Sequence, residues 1–306
     1  MRIQTKLPQR SWAGDLVHEW RLERRYRRDA KKGYPLLLRI AEKRLGYRPD
    51  IHNPKTFNEK VQWRKVYDQN PLFPIISDKL RLRDYLAEQL GNATATDILP
   101  ELLLVTDTPQ TVDLTGLPDA WVAKANHASG WNIFATPDDP MDEAALRHEM
   151  TRWLRLSYGK KKREWAYQSI PRKIMFESFM EGSDGRAPDD LKFVMFGDSV
   201  GYVMWEDDRF GDHSQHLVDE HWTPLDFTTN EYAQRDLPPP PDGYAEMLSI
   251  AKAIGKAFDH VRVDFMFTKD GFVLNELTLY RGSGMKAFNP VSFDRLFGDM
   301  WTLPTV

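Results

Sequence analysis

The chain has no cysteine among its 306 residues. That removes disulfides, thiol nucleophiles and every Cys-based zinc or iron–sulfur site, and it is compatible with a reducing compartment. No apolar run approaches membrane-spanning length and the N-terminus has no signal-peptide h-region, so cytoplasmic residence is the expectation. An excess of one charge sign is also missing: 42 Lys and Arg stand against 45 Asp and Glu, a formal net charge of −3. No global field then recruits nucleic acid. Absent too are a Gly-x-Ser-x-Gly elbow, an HExxH helix and a G-x-x-x-x-G-K loop. No basic–aromatic interleaving suggests RNA recognition. What is present is an ordinary globular composition, 41% hydrophobic and 28% charged, long enough for two or three lobes.

The most informative stretch is Val261–Thr278, two alternating runs around Lys269-Asp270-Gly271. Alternation of this kind reads as two half-buried strands of a hairpin. A three-residue loop with Gly in the left-handed position pairs Thr268 with Phe272. In that register Asp264 lies opposite Glu276 and Arg262 opposite Thr278, all on one face. Val263, Phe265, Phe267, Val273 and Leu277 share the other. A two-residue loop would put the two acids on opposite faces, because side chains alternate with period two. Adjacent carboxylates repel unless a cation sits between them. Few, hard oxygen ligands suit Mg²⁺ that is also bound by nucleotide phosphates; a solvated acidic face is the plainer alternative.

Elsewhere the pattern is mixed. The first 50 residues are charged and helical in period, with Arg21, Arg24, Arg25, Arg27, Arg28, Lys31 and Lys32 forming a dense basic stretch. Such a stretch is a solvated helix face or a contact with an anionic polymer or membrane surface. Thr56-Phe57-Asn58-Glu59 reads as a capping box opening a helix through Tyr67. Ser77 or Asp78 caps a second helix over Lys79–Leu90, ended by Gly91. Strands are expected at 102–106, 121–125, 174–178, 191–196 and 200–205, the last two joined by Gly197-Asp198-Ser199. Helices are expected at 142–157 and 244–258, and 207–229 reads as a long polar loop. The sum is an α+β protein with largely antiparallel sheets.

Several positively charged residues stand where anions bind. Lys124 ends an apolar strand and precedes Ala125-Asn126-His127-Ala128-Ser129-Gly130, a small-residue loop whose N–H groups and hydroxyl can meet phosphates. Lys79 sits in a helix's first turn, where backbone N–H groups favour an anion. Glu177 interrupts an apolar strand, and a buried carboxylate needs a partner. Arg209 lies in the polar loop with His213 and His216, which complete no zinc ligand set. Arg281-Gly282-Ser283-Gly284 follows the second acidic strand and is suited to gripping a carboxylate or acyl phosphate. Each of these also has a purely structural reading.

Taken in order, these pieces resemble the ATP-grasp superfamily. From about Asn53 onward the chain is similar to its TupA-like branch, associated with teichuronopeptide biosynthesis. The carrying segments are N53-P54-K55-T56-F57-N58-E59, S77-D78-K79, W121-V122-A123-K124 with the loop to Gly130, I174-M175-F176-E177, D190-L191-K192-F193, D208-R209-F210, and V261-R262-V263-D264 with E276-L277-T278. The resemblance implies an ATP-grasp fold, two α+β lobes clamping a nucleotide. Its expected order is a basic helical segment (1–50), an N-terminal lobe (51–120), a small lobe with a lid loop (121–190) and a large lobe with the metal site (191–306).

Implied roles follow residue by residue. Lys79 and Lys124 hold phosphates, and His127, Ser129 and Gly130 belong to a mobile cover. Glu177 lies at the adenine hinge, with Asp184 or Glu181 at the ribose. Asp264 and Glu276 bind Mg²⁺, with Thr278 where many members carry Asn. Lys192, Arg209 and Arg281 meet the γ-phosphate or the substrate carboxylate. The implied cofactors are ATP and Mg²⁺, and the implied reaction is carboxylate–amine ligation through an acyl phosphate. The expected substrates are an amino acid and a uronic acid of a bacterial surface polysaccharide. A phosphotransferase acting on a hydroxyl and an inactive polysaccharide-binding protein are the alternatives.

Overall fold

A computed structural model describes residues 2–3, 7, 10–139, 142–182, 187–207, 213–229 and 235–305. Its helices are α1 (Trp12–Lys31), α2 (Pro35–Leu45), α3 (Phe57–Val66), α4 (Phe73–Ser77), α5 (Arg81–Leu90), α6 (Asn92–Asp97), α7 (Glu143–Arg155), α8 (Tyr244–Gly255) and α9 (Ser292–Met300). The strands are β1 (Arg2–Ile3), β2 (Leu102–Thr106), β3 (Trp121–Ala125), β4 (Asn132–Ala135), β5 (Ile174–Ser178), β6 (Asp190–Phe196), β7 (Ser199–Asp207), β8 (Ser214–Val218), β9 (Val261–Thr268) and β10 (Gly271–Thr278). Two compact units share them. The first takes residues 1–34, 71–85 and 100–179, and the second takes 35–70, 86–99 and 180–306. Among the described residues no helix is long and apolar enough to cross a membrane.

The first unit is built on a five-stranded sheet in the order β1-β4-β3-β5-β2. Strand β3 is central, antiparallel to both β4 and β5, and so is buried along nearly all its length. Helix α7 is capped by Asp142, whose side chain accepts from the Ala145 N–H. It contributes Leu146, Met150 and Trp153 to a core with Trp121, Ile133 and Phe176.

The second unit carries an antiparallel sheet in the order β10-β9-β6-β7-β8. Helix α3 starts at the expected capping box: Thr56 accepts from the Glu59 N–H, and Glu59 reaches back to the Thr56 N–H. Phe57 then enters an aromatic core with Phe196, Phe288 and Trp301. On the polar side Arg64 is wholly buried. It reaches Asp259 and Asp68, donates to the His260 and Leu279 carbonyls, and lies over the Trp301 ring. An arginine so placed cannot be removed without orphaning buried acceptors. Arg64→Met should cost about 3–5 kcal/mol in urea unfolding; a loss below about 1 kcal/mol would show the network to be dispensable.

The acidic hairpin forms with a different turn from the one expected. Gly271 pairs with Thr268 across a two-residue turn, which by alternation alone would separate the acids. A β-bulge between Leu274 and Glu276 inserts Asn275 as an extra residue and restores the pairing of Glu276 with Asp264 and of Thr278 with Arg262. Between the turn and the bulge, the shorter turn changes which residues face the core. Phe272 and Leu274, paired with Phe267 and Phe265, occupy the core side, whereas Val273 pairs with Met266 on the acid side.

Candidate active site

In the second unit, strand register gathers the charged residues. Lys192 of β6 is the cross-strand partner of Asp264, which is in turn the partner of Glu276, so one row crosses three strands. Arg262 and Thr278 form the next row, and Asp190 pairs with Glu206 on the other side. Residues in these rows share a face, because paired residues point the same way and alternate ones repeat it. Four acids and two cations thus occupy one side of a sheet whose opposite side is core.

The cations already engage the acids. Arg262 grips Asp264 with both ends of its fork, Nε to Oδ1 at 2.6 Å and Nη2 to Oδ2 at 2.5 Å. The same Nη2 lies 3.7 Å from Glu276 Oε1 and donates to Thr278 Oγ1 at 3.1 Å. Thr278 donates to Glu276 Oε1 at 3.3 Å. Lys192 is paired with Glu206 and lies 3.8 Å from Asp190. Burial pushes the Asp264 carboxyl up to about 6 against the pull of Arg262, and Glu276 adds to the rise.

The donor set suits Mg²⁺. Asp264 and Glu276 offer hard oxygens side by side, Asp264 with a 2% exposed side chain and Glu276 with a 24% exposed one. Among the described residues no group of three or more His, Cys, Asp or Glu gathers around a metal position. Further places would then fall to non-protein oxygens, as Mg²⁺ commonly requires. Arg262 was not among the expected catalytic residues. Its place two residues before Asp264, on the same face of a strand, was the available signal.

Arg281, expected at the γ-phosphate or the substrate carboxylate, is engaged inside the second unit. It is 1% exposed, its guanidinium lies over Phe288, and it approaches the Lys286 carbonyl at 3.4 Å. It braces the turn that follows β10. Helix α3 holds that turn from the other side: Asn58 donates to the Lys286 carbonyl, Gln62 to the Ser283 and Gly284 carbonyls, and Lys65 to the Ser283 carbonyl. The spacing 58, 62, 65 puts all three on one helix face. A side chain on Gly284 would strike Gln62 and Val61 within 2.8 Å, and its φ of +59° also favours glycine.

In the first unit, Lys124 and Glu177 share a face of adjacent strands. Lys124 Nζ lies 2.6 Å from one Glu177 oxygen, and Arg83 lies 3.2 Å from the other. Glu177 therefore orients two cations, which answers the need of a buried carboxylate for partners. Lys79 lies in the turn before α5 rather than in its first turn, and its ammonium donates to the Ala128 carbonyl at 2.7 Å. Asn126 is the hub beneath. Its amide donates to Asp78 and to the Pro171 carbonyl, and its oxygen accepts from the Lys173 N–H. Ser129 and Gly130 are part-exposed beyond it.

His127, expected in the mobile cover, has its side chain packed inside the first unit. It is 1% exposed, 5.6 Å from the Trp131 ring, and burial followed by the charge of Arg172 holds its pKa down near 4. The imidazole is therefore neutral in the fold. Because the folded value lies below the ordinary 6.5, its contribution is intact above pH 6.5 and is lost as pH falls towards 4. Against a His127→Phe variant, the wild type should lose up to about 3 kcal/mol more stability between pH 7 and 4. Parallel pH–stability curves would contradict this. Asp184 and Arg209, expected at the ribose and the γ-phosphate, lie outside the described residues.

Solved structures of similar fold include the D-alanine–D-alanine ligase of Bacillus anthracis complexed with ATP, at 13% identity and a TM-score of 0.42, covering 74% of this chain and 65% of that one. Helicobacter pylori D-alanine–D-alanine ligase matches at 13% and 0.41, covering 81% and 69%. N5-carboxyaminoimidazole ribonucleotide synthetase of Thermus thermophilus matches at 12% and 0.39, covering 72% and 51%. The chain spans less than two thirds of the length of the Bacillus anthracis ligase. No curated protein matches the sequence at a significant level. The TupA-like ATP-grasp family model matches residues 59–302, most of the chain, and the chain belongs to that family.

Proposed function

We propose that the protein is an ATP-dependent carboxylate–amine ligase that joins an amino acid to a uronic acid of a bacterial surface polysaccharide. The observation that carries the reading is the row Lys192–Asp264–Glu276 with Arg262 beside it: two carboxylates for a metal, with two cations on the same sheet face. Family membership supports ATP as the co-substrate, and it alone supports the uronic acid acceptor; a cytoplasmic setting belongs to the same proposal.

In the proposed reaction a carboxylate oxygen attacks the γ-phosphorus and ADP leaves. The amine nitrogen then attacks the acyl carbon, phosphate leaves with the carboxylate oxygen it received, and the nitrogen loses its proton. Mg²⁺, held by Asp264 and Glu276 with Thr278 beside them, would supply charge neutralisation on the phosphates. Arg262, released from part of its grip on Asp264, and Lys192 would hold the transferring phosphoryl oxygens, the kind of positioning that phosphoryl transfer depends on. In the first unit Lys124 and Lys79 would bind phosphate oxygens, aimed by Glu177 and by the Ala128 carbonyl. Arg209 at the substrate and Asp184 at the ribose belong to the same proposal. No protein nucleophile is needed, in keeping with a chain without cysteine.

The test is a nucleotide-consumption screen over uronic acids and amino acids, with mass spectrometry of the products. The expected result is ADP and free phosphate only when both a carboxylate and an amine are present, with an amide product. Phosphate left on a hydroxyl acceptor would replace the ligase with a phosphotransferase.

A further inference from the structure

Helix α1 is attached to the first unit by its acids. Each of the four has a partner in the rest of that unit: Asp15 meets Arg152 at 3.3 Å, Glu19 accepts from Ser157 at 2.6 Å, Glu23 meets Lys160 at 2.9 Å while also pairing with Arg27 of its own helix, and Asp29 meets Arg163 at 3.7 Å. Arg163 also lies over the rings of Tyr26 and Tyr34. A helix held by its polar side has its apolar side to spare. Trp12 is 60% exposed, Trp20 57%, and Leu16 and Val17 46% each. Their spacing puts them on one face, since 12, 16 and 20 follow the four-residue row and 17 adjoins it.

Beside that face the helix continues as a basic surface, Arg24, Arg28 and Lys31 in line with it and Arg21 and Arg25 on its flank. Arg21, Arg24, Arg25, Arg28 and Lys31 are exposed over the next three turns, and Arg24 lies over the Trp20 ring at 4.6 Å. Of the acids of α1 only Glu19 and Glu23 are part-exposed, and Glu23 pairs with Arg27 at 2.5 Å rather than with these five. A surface helix ordinarily turns its apolar stripe to the core and its charges to water. Here the acids, Glu23 in part excepted, are inside, with tryptophans and cations outside.

We infer that α1 lies on an anionic lipid bilayer, its first two turns seated at the interface by Trp12, Leu16, Val17 and Trp20, and its last three turns held to lipid phosphates by arginine and lysine. Tryptophan partitions to the headgroup level, and basic side chains add attraction to an anionic leaflet. A soluble anionic polymer would engage the cations but leave the exposed Leu16 and Val17 in water. A second copy packed on this face would set cations against cations or against the apolar turns. A polysaccharide-modifying enzyme anchored this way would work beside acceptors carried on membrane lipid.

The test is co-sedimentation of the full chain with phosphatidylcholine vesicles, with and without phosphatidylglycerol, in parallel with binding to soluble polyglucuronate. The expected result is binding to the anionic vesicles that weakens with salt, as wild-type protein alone can show. Replacing Arg21, Arg24, Arg25 and Arg28 by Gln should weaken it on the order of a hundred-fold. The double substitution Trp12→Ser and Trp20→Ser should weaken it about ten-fold. Thermal unfolding of each variant should match the wild type, since the inward ion pairs remain. Absence of vesicle binding by the wild type, binding indifferent to the tryptophans, or preference for the soluble polymer would overturn the inference. So would a dimer that the tryptophan substitutions dissociate in protein that ignores vesicles.

Discussion

Lys124→Ala is expected to lower ATP turnover by roughly a hundred- to a thousand-fold, the scale of losing one preorganised charge contact in a phosphoryl transfer site. The effect on folding should be small by comparison. Lys124 is the partner of one Glu177 oxygen at 2.6 Å, but Arg83 holds the other at 3.2 Å, so the buried carboxylate keeps a cation when the lysine is cut away. A stability loss of about 1–2 kcal/mol is the corresponding expectation. Steady-state kinetics and urea unfolding on the same sample separate the two. Turnover close to wild type would remove phosphate binding from this residue and leave it a structural partner of Glu177.

The second large effect concerns the acid pair. Glu276→Gln should raise the Mg²⁺ concentration needed for half-maximal activity by about ten-fold or more, since it removes one of the two carboxylates paired side by side for the metal. Asp264→Asn should do so and also lower the maximal rate, because it dissolves the two-pronged bond that positions Arg262. The two variants are therefore expected to differ. Glu276→Gln acts mainly on metal demand, whereas Asp264→Asn acts on metal demand and rate together. Activity titrated against Mg²⁺ for the three proteins gives the answer, and unchanged metal dependence in both variants would count against this pair as the metal site.

Much of this site was legible because strands declare their faces. The strands at Leu102–Thr106, Trp121–Ala125 and Ile174–Ser178 run between the residues that alternation and apolar content indicate. The pairing of Asp264 with Glu276 was also foreseen, although for an incorrect reason. Two deviations, a shorter turn and an extra residue at Asn275, cancel each other. A bulge leaves no compositional mark in so short a run, whereas the polar face it protects does.

What was missed has physical causes. Strand β8, Ser214–Val218, begins with three polar residues and reads as loop. It is a strand because Ser214–Val218 finds Val203–Asp207 of β7 beside it. Strand β4, Asn132–Ala135, lies hidden behind a loop of small residues. The inward-facing imidazole of His127 and the buried guanidinium of Arg281 could not be told from surface groups, since both residue types serve either role. The interleaving of the two units was equally hidden, because long-range contact, not local pattern, assigns 71–85 to one and 86–99 to the other.

The central claim, that a substrate carboxylate is phosphorylated before the amine attacks, has a direct isotopic test. Once the acceptor is known, its carboxylate is labelled with ¹⁸O and the phosphate released during turnover is weighed by mass spectrometry. Ligation through an acyl phosphate predicts one labelled oxygen in the free phosphate for each amide formed. Unlabelled phosphate, with both labelled oxygens still on the acid, would contradict it.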